Sequence, residues 1–292
     1  MIETLQTIGD HWLHSFTVEM TRYLFGAAGV AILYWLLRRW TAPRRIQQRE
    51  ATLADRRREL LLSVQTVAIF GVVNLITFAM ITSGVITVAR NFDTGMIAIQ
   101  LVAMVILHDF WFYWMHRGLH LRAMFRRAHA AHHQSRTPTS WASYAFAPIE
   151  SVFEALYVPV FLFVLSRFGP MYPLAVFIFL GHQIARNAIG HSGHELAWSG
   201  FTRSRWTGWL TTTTHHDLHH SEGRHNFGLY FTWWDRWMGT EHPKYHARFE
   251  SVAARKSVEA SPATAPSSPR TNTGPWRERP RQPAKRLTPW SG

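Results

Sequence analysis

Three clusters of closely spaced histidines restrict the fold of this chain more than any other feature of its sequence. The first two lie within residues 108–133 and have the spacings H-x3-H and H-x2-HH, and the third, within residues 215–220, repeats H-x2-HH. On an α-helix, residues three or four positions apart lie on the same face. Each cluster is therefore predicted to present its imidazoles in one direction, and the fold must bring the clusters together.

Converging imidazoles indicate a metal site rather than scattered surface histidines. Neutral imidazole is the commonest metal ligand in proteins, and it suits zinc, copper, iron and nickel. A tetrahedral zinc site needs about four ligands, whereas the clusters and one further histidine supply nine, which predicts two metal ions. The predicted ligands are His116, His120, His129, His132, His133, His191, His216, His219 and His220.

The third cluster contains one histidine more than its spacing requires. Adjacent helical residues diverge by about 100°, so only one of His215 and His216 can share the face of His219 and His220. His216 repeats the spacing of the second cluster and is the predicted ligand. His215 is predicted to lie beside the site.

Composition excludes several classes of protein. The chain has no cysteine, which rules out disulfides, iron–sulfur clusters, thiolate haem and cysteine-based zinc sites. It has no H-E-x-x-H motif, which argues against a zinc hydrolase. A net charge of +13 would suit nucleic acid, but no nucleic-acid motif accompanies it. A membrane metal- or haem-binding protein without enzymatic activity remains the alternative to an enzyme.

Apolar segments predict an all-α integral membrane protein. Residues 23–37 and 60–89 contain no charged side chain, residues 95–115 contain one acidic residue, Asp109, and a bilayer is crossed by about 20 apolar residues. Residues 155–166 and 168–185 are two further apolar stretches, and Gly169-Pro170 near the start of the second indicates a turn, so the two are expected to form a hairpin that is partly re-entrant. We expect a helical bundle with four or five apolar crossings.

The distribution of arginines predicts the orientation. Residues 38–59 contain eight arginines and three acidic residues, so the positive-inside rule places this loop in the cytoplasm. The third apolar segment then returns to the cytoplasm at His116. Three parts are expected: residues 1–59 with the first span and the basic loop, residues 60–250 with the remaining spans and a cytoplasmic helical cap around the two metals, and residues 251–292 as a disordered basic, proline-rich tail. The expected location is a bacterial inner membrane.

Longer motifs surround the clusters. They are D-x3-YW-x-HR-x2-H from Asp109, H-x2-HH from His129, HSG from His191, HHD-x-HH from His215, N-x-G from Asn226 and TWWD-x3-GT from Thr232. Over residues 105–242 this combination resembles the fatty acid hydroxylase and sterol desaturase superfamily of membrane di-iron oxygenases. In fatty acid 2-hydroxylase members the third motif is H-x3-H, whereas this chain has Asn187 four residues before His191. One ligand of the second metal is therefore unassigned, with His194 as an alternative donor.

The resemblance implies a chemistry. It implies a non-haem centre of two iron ions that uses dioxygen to hydroxylate or desaturate a C–H bond of a membrane lipid, whether a sterol, a fatty acyl chain or a related molecule. The electrons would come from NAD(P)H through a separate reductase and a ferredoxin- or cytochrome b5-type donor protein, since the chain has no flavin or nicotinamide glycine motif. The HSG and TWWD segments look closest to the sterol C4-methyl oxidase branch.

Asp109 is the predicted catalytic carboxylate. It precedes His116 by two helical turns on the same face, where it could orient a ligand imidazole through the nitrogen that does not bind metal. Its alternative role is an ion pair with Arg117. Asp217 and Asp235 are weaker candidates for the same task.

Overall fold

The computed structural model describes residues 2–255, and every regular element in that range is helical. The α-helices are α1 (Ile2–Leu36), α2 (Arg38–Thr41), α3 (Leu53–Thr82), α4 (Thr94–Leu119), α5 (Arg122–Ala128), α6 (Pro148–Leu165), α7 (Pro173–Gly190), α8 (Thr213–Glu222), α9 (Trp233–Trp237) and α10 (Tyr245–Ala253). Short 3-10 helices lie at Ala42–Arg44, His132–Gln134, Ser140–Tyr144 and Phe201–Arg203. The predicted all-α class is confirmed.

Four helices are long and apolar enough to cross a membrane. They are α1 from Leu5 to Leu36, α3, α4 and α6. Large apolar side chains on them face outward, including Phe25, Leu61 and Ile99, which are 77%, 58% and 62% exposed. An apolar surface of this extent is stable when lipid covers it. The chain is a multi-pass membrane protein.

The helix of the second apolar segment begins and ends earlier than predicted. Thr52 and Asp55 form a capping box, in which each side chain accepts the backbone N–H of the other, at 3.1 and 2.9 Å. This cap starts α3 at Leu53, so the basic residues 56–58 belong to its first turns rather than to a loop. The helix ends before Gly84, whose φ of +77° suits glycine.

The predicted hairpin is formed by α6 and α7. Pro148 and Pro173 each occupy the first position of their helix, where proline removes no intrahelical hydrogen bond. Helix α7 packs against α1 and α4, and α6 packs against α3 and α4. Because the hairpin is antiparallel, the start of α6 and the end of α7 lie at the same end of the bundle as the end of α4.

Residues 192–255 form a cap of short helices joined by irregular segments. Leu218 of α8 packs with Tyr245, Phe249 and Ala253 of α10 in a small apolar core. Helix α10 runs to Ala253, so the first residues of the predicted tail continue a packed helix. Residues 256–292, which hold the rest of that tail, lie outside the described residues.

A glycine contact between α1 and α7 gives a test of this packing. A Cβ atom added at Gly26 would lie 2.5 Å from Cγ1 of Ile184, whereas a Cβ at Gly29 on the same helix would meet no atom within 4 Å. We expect Gly26→Leu to lower the free energy of unfolding by about 1–3 kcal/mol, the usual effect of overpacking a core. Gly29→Leu is the matched control and should leave it unchanged. Thermal unfolding in detergent measures both, and equal midpoints would contradict the α1–α7 contact.

Candidate metal centre

The nine histidines predicted as ligands lie in two groups at the end of the bundle where α4 and α7 end and α6 begins. Group A contains His116, His120, His129, His133 and His219, and group B contains His132, His191, His216 and His220. Within each group, one ring nitrogen from every histidine lies within 4.8 Å of the others. The rings are buried or half-buried, so each group is a closed cluster of imidazoles.

In group A the ring nitrogens that converge are the Nε2 atoms. The Nε2 atom of His133 lies 3.1 Å from those of His129 and His219 and 3.2 Å from that of His120. The Nε2 atom of His116 lies 3.1 Å from that of His129. Five donors from three separate segments of the chain therefore meet at one point.

Group B has the same arrangement with four donors. The Nε2 atom of His191, the residue after α7, lies 3.0 Å from that of His216 and 3.2 Å from that of His220. The Nε2 atom of His132 completes the group at 3.3 Å from His191. No carboxylate belongs to either group.

The expectation that each H-x2-HH cluster points in one direction was wrong. In both clusters the first and last histidines enter one group and the middle histidine enters the other, so His132 joins group B and His219 joins group A. Positions i+3 and i+4 of a helix diverge by about 100°, so neighbouring histidines on α8 face different groups. The second cluster is not one helix, because α5 ends at Ala128 and a 3-10 turn begins at His132.

The second ring nitrogen fixes the protonation of the first. In five of the rings Nδ1–H donates to a carbonyl or carboxylate oxygen, so Nε2 must carry the lone pair. The pairs are His116 with the Phe227 carbonyl (3.0 Å), His129 with Glu150 Oε1 (2.8 Å), His132 with the Ala145 carbonyl (3.3 Å), His191 with the Asn187 carbonyl (2.8 Å) and His219 with the His225 carbonyl (2.8 Å). Lone pairs that face one another at about 3 Å repel unless a cation lies between them, so the residues fit two metal ions.

Burial keeps these imidazoles neutral. Removal from water lowers the pKa of His133 and of His191 to about 4 each, because burial disfavours the charged form. The same cause places the pKa of His216 and of His219 well below the usual value. At neutral pH each ring therefore offers an uncharged nitrogen donor.

A third group of potential ligands lacks this arrangement. Glu222, His225 and His242 also lie close together. The Nδ1 atom of His242 accepts the backbone N–H of Lys244 at 3.1 Å, so its Nε2 carries the proton and donates to Glu222 at 2.8 Å. A cation there would have to displace that proton, and we assign this group as a hydrogen-bonded surface cluster.

Glu150 is a functional candidate that the sequence analysis missed. It lies in the first turn of α6 and accepts the Nδ1 proton of His129, and both side chains are almost fully buried. We had placed the apolar segment at residues 155–166, which left this carboxylate outside it. The available signal was an acidic residue at the start of a membrane helix, where a carboxylate needs a partner.

Asp109 does not make the expected contact with a ligand imidazole. Its Oδ1 atom accepts the backbone N–H groups of Tyr230 and Phe231 at 2.8 and 3.2 Å. The proton of His116 Nδ1 goes instead to the carbonyl of Phe227, in the same irregular segment. Asp109 therefore supports the backbone beside group A and touches none of the nine histidines through a hydrogen bond in the described chain.

Asp235 holds the same segment from the other side. Its carboxylate accepts the N–H groups of Phe227 and Gly228, each at 2.8 Å, and lies 3.3 Å from Nε2 of His215. Burial alone would raise the pKa of Asp235, but the interaction with His215 and the hydrogen bonds outweigh it and hold the pKa below the usual value. His215 thus turns toward Asp235 and away from group B.

The remaining candidates lie outside both groups. The side chain of Asn187 donates to the carbonyl of Ser143 at 2.7 Å, and the half-buried His194 bonds the carbonyl of Ser192 at 3.0 Å. Neither supplies a donor to group B, although the Asn187 backbone orients His191. Asp217 accepts a hydrogen bond from Gln47 at 2.8 Å and not from an imidazole of either group.

Comparisons with known proteins give matches over the part of the chain that contains both histidine groups. The family model for fatty acid hydroxylase matches residues 101–240. Lathosterol oxidase of Mus musculus is 32% identical over 52% of this chain and 49% of its own length. A methylsterol monooxygenase of Aspergillus fumigatus is 29% identical over 49% of this chain and 48% of its own, and a Delta(7)-sterol 5(6)-desaturase of Gibberella zeae is 29% identical over 49% and 42%.

These matches have a defined extent. The chain spans about half the length of the curated relatives it matches. No solved structure matches the chain. The matched region contains every histidine of groups A and B, together with Asp109, Glu150 and Asp235. Residues 101–240 are therefore a fatty acid hydroxylase domain of the fatty acid hydroxylase and sterol desaturase superfamily.

Proposed function

We propose that this chain is a membrane oxygenase that holds one iron ion in each histidine group and uses dioxygen to hydroxylate or desaturate a C–H bond of a lipid. The observation that carries the proposal is the convergence of nine buried or half-buried imidazoles on two points, with the Nε2 lone pairs of five of them directed inward. Imidazole donors suit iron. The similar proteins are named as an oxidase, a monooxygenase and a desaturase of sterols, which supports a sterol or related lipid as substrate.

In the proposed function, the bound ions and the residues of the chain have different roles. When bound, the two irons would supply the activation of dioxygen, with electrons from NAD(P)H delivered by a separate reductase and a ferredoxin- or cytochrome b5-type protein. Carbonyl oxygens and Glu150 hold five of the nine rings through Nδ1, which keeps those rings in the tautomer that binds metal through Nε2. The groups lie at the ends of membrane helices, so a lipid can reach them from the bilayer without leaving it. We further propose that the chain is oriented in the membrane with residues 38–59 and the cap in the cytoplasm.

Metal analysis and lipid chemistry test the function together. We expect the purified protein to contain two irons and no Soret band, and expression of the intact chain to convert a membrane lipid into a species changed by one oxygen atom or two hydrogen atoms. Comparative lipid mass spectrometry of expressing and deleted strains measures this change. A Soret band would favour haem binding, and two irons without any changed lipid would favour a metal-binding protein without oxygenase activity.

Two adjacent histidines on α8 test which residues bind metal. His216→Ala removes an Nε2 donor from group B, and we expect the loss of at least one iron and of turnover, because a coordination position opens with no other donor near it. His215→Ala is the matched control. It removes the partner of buried Asp235, so it should destabilise the cap while both irons are retained. The measurement is the number of iron ions per purified protein molecule. Equal loss of iron in the two variants would contradict the assignment of His216 as the ligand.

Glu150 gives a separate test of how group A is held. Glu150→Ala removes the acceptor of the His129 proton, and loss of such a partner typically weakens metal binding about 10- to 100-fold. Glu150→Gln keeps an acceptor oxygen and should recover part of the affinity. Glu154→Gln, one turn further along α6 and also buried, is the control and should retain iron. The measurement is the rate of iron loss to a chelator. Equal rates in all variants would show that Glu150 does not help to hold iron in group A.

A further inference from the structure

A cavity of about 340 Å³ lies between α1, α3, α6 and α7, far from the metal centre. Its walls are mainly apolar side chains, among them Leu162, Met171, Phe177 and Leu180. About three turns of α7, a rise of roughly 16 Å, separate Leu180 from His191 of group B. The cavity is within the range of roughly 300–1,000 Å³ that small-molecule sites occupy, and three of the helices around it are membrane-spanning candidates.

One wall of the cavity is polar. Glu19, Asn74 and Thr77 lie together there, on α1 and α3. Glu19 is only 6% exposed, pairs with Arg22 on the next turn and accepts a hydrogen bond from Nδ2 of Asn74 at 3.3 Å. Arg22 is anchored in turn by the hydroxyl of Tyr144 at 3.0 Å. Ionisable residues within membrane helices are rare and costly, and they commonly mark functional sites.

The Thr77 hydroxyl lacks a hydrogen-bond partner. Its Oγ1 atom is buried and bonds to no other group within residues 2–255. A buried hydroxyl without a partner destabilises the fold, so a polar atom from outside the chain that bonds to it would stabilise the protein. The Asn74 amide beside it has one hydrogen engaged with Glu19 and offers its carbonyl oxygen as well.

The charged side chains on this wall determine which kind of polar group a ligand can place there. The carboxylate of Glu19 disfavours an anionic group, and the paired guanidinium of Arg22 cancels the attraction for a cation. A neutral group that both donates and accepts fits an unpaired hydroxyl and an amide. We propose that this cavity is a binding site for a membrane lipid that carries a hydroxyl group, with the hydroxyl at Asn74 and Thr77 and the apolar body along α6 and α7. The site is independent of the metals and of the proposed oxygenase activity.

Photolabelling tests the site in the intact protein. The probe is dodecan-1-ol with a diazirine at its far end, and dodecane with the same diazirine is the matched control ligand, which neither donates nor accepts a hydrogen bond. We expect labelled peptides from α6 or α7, with labelling by the alcohol roughly five- to tenfold stronger than by the alkane, the factor that about one hydrogen bond supplies. Equal labelling by the two probes would overturn the proposal, because the apolar walls alone would then account for binding.

Substitutions locate the polar contact. Thr77→Val keeps the shape of the side chain and removes its hydroxyl, and Asn74→Leu removes the amide, so both should abolish the preference for the alcohol. Thr82→Val, an exposed threonine on the same helix that does not line the cavity, should retain it. Leu180→Trp fills the cavity and should block both probes even if the polar variants fold poorly. Alcohol labelling that persists in Leu180→Trp would place the lipid elsewhere and overturn the proposal.

Discussion

The structure depends on one electrostatic requirement: the ring nitrogens of nine histidines converge on two points in a nearly dry interior, and five of them present lone pairs there. Those five rings donate their Nδ1 protons to oxygen atoms outside the groups, so their inward nitrogens have no proton to donate to one another. Only cations relieve the repulsion among them. The packing of the cap, the ends of three helices and the buried carboxylates all serve to bring these nitrogens to within about 3 Å of one another.

The oxygen atoms that hold the rings come from places where the backbone is irregular. A carbonyl inside a helix is already engaged, whereas those of Ala145, His225 and Phe227 lie in connecting segments and are free to accept. Asn187 lies in the last turn of α7, and its carbonyl accepts both the backbone N–H of His191, at 3.1 Å, and the ring Nδ1–H of the same residue. The positive φ of Asn226, at 61°, turns the chain between two of these carbonyls. Helices thus supply the histidines, and loops supply their orientation.

Spacing in the sequence identified the nine histidines that the fold gathers, because helical periodicity and ligand chemistry both constrain them. It did not separate them into groups: adjacent histidines on α8 diverge by about 100°, and the second cluster is interrupted by the end of α5 at Ala128. The start of α3 at Leu53 depends on a capping box of Thr52 and Asp55, which lie eight and five residues before the predicted apolar run at Leu60. Glu150 was missed because its role rests on a contact across 21 positions, which no local pattern encodes.

The exchange of His132 and His219 between the groups has a thermodynamic consequence. Helix α8 and residues 129–133 each contribute to both centres, so neither centre has a scaffold of its own. A cation that enters one group fixes two segments, and the conformational entropy lost in ordering them does not have to be lost again when the second cation enters. Two ions bound as proposed would share this ordering cost, which favours positive cooperativity between the two groups.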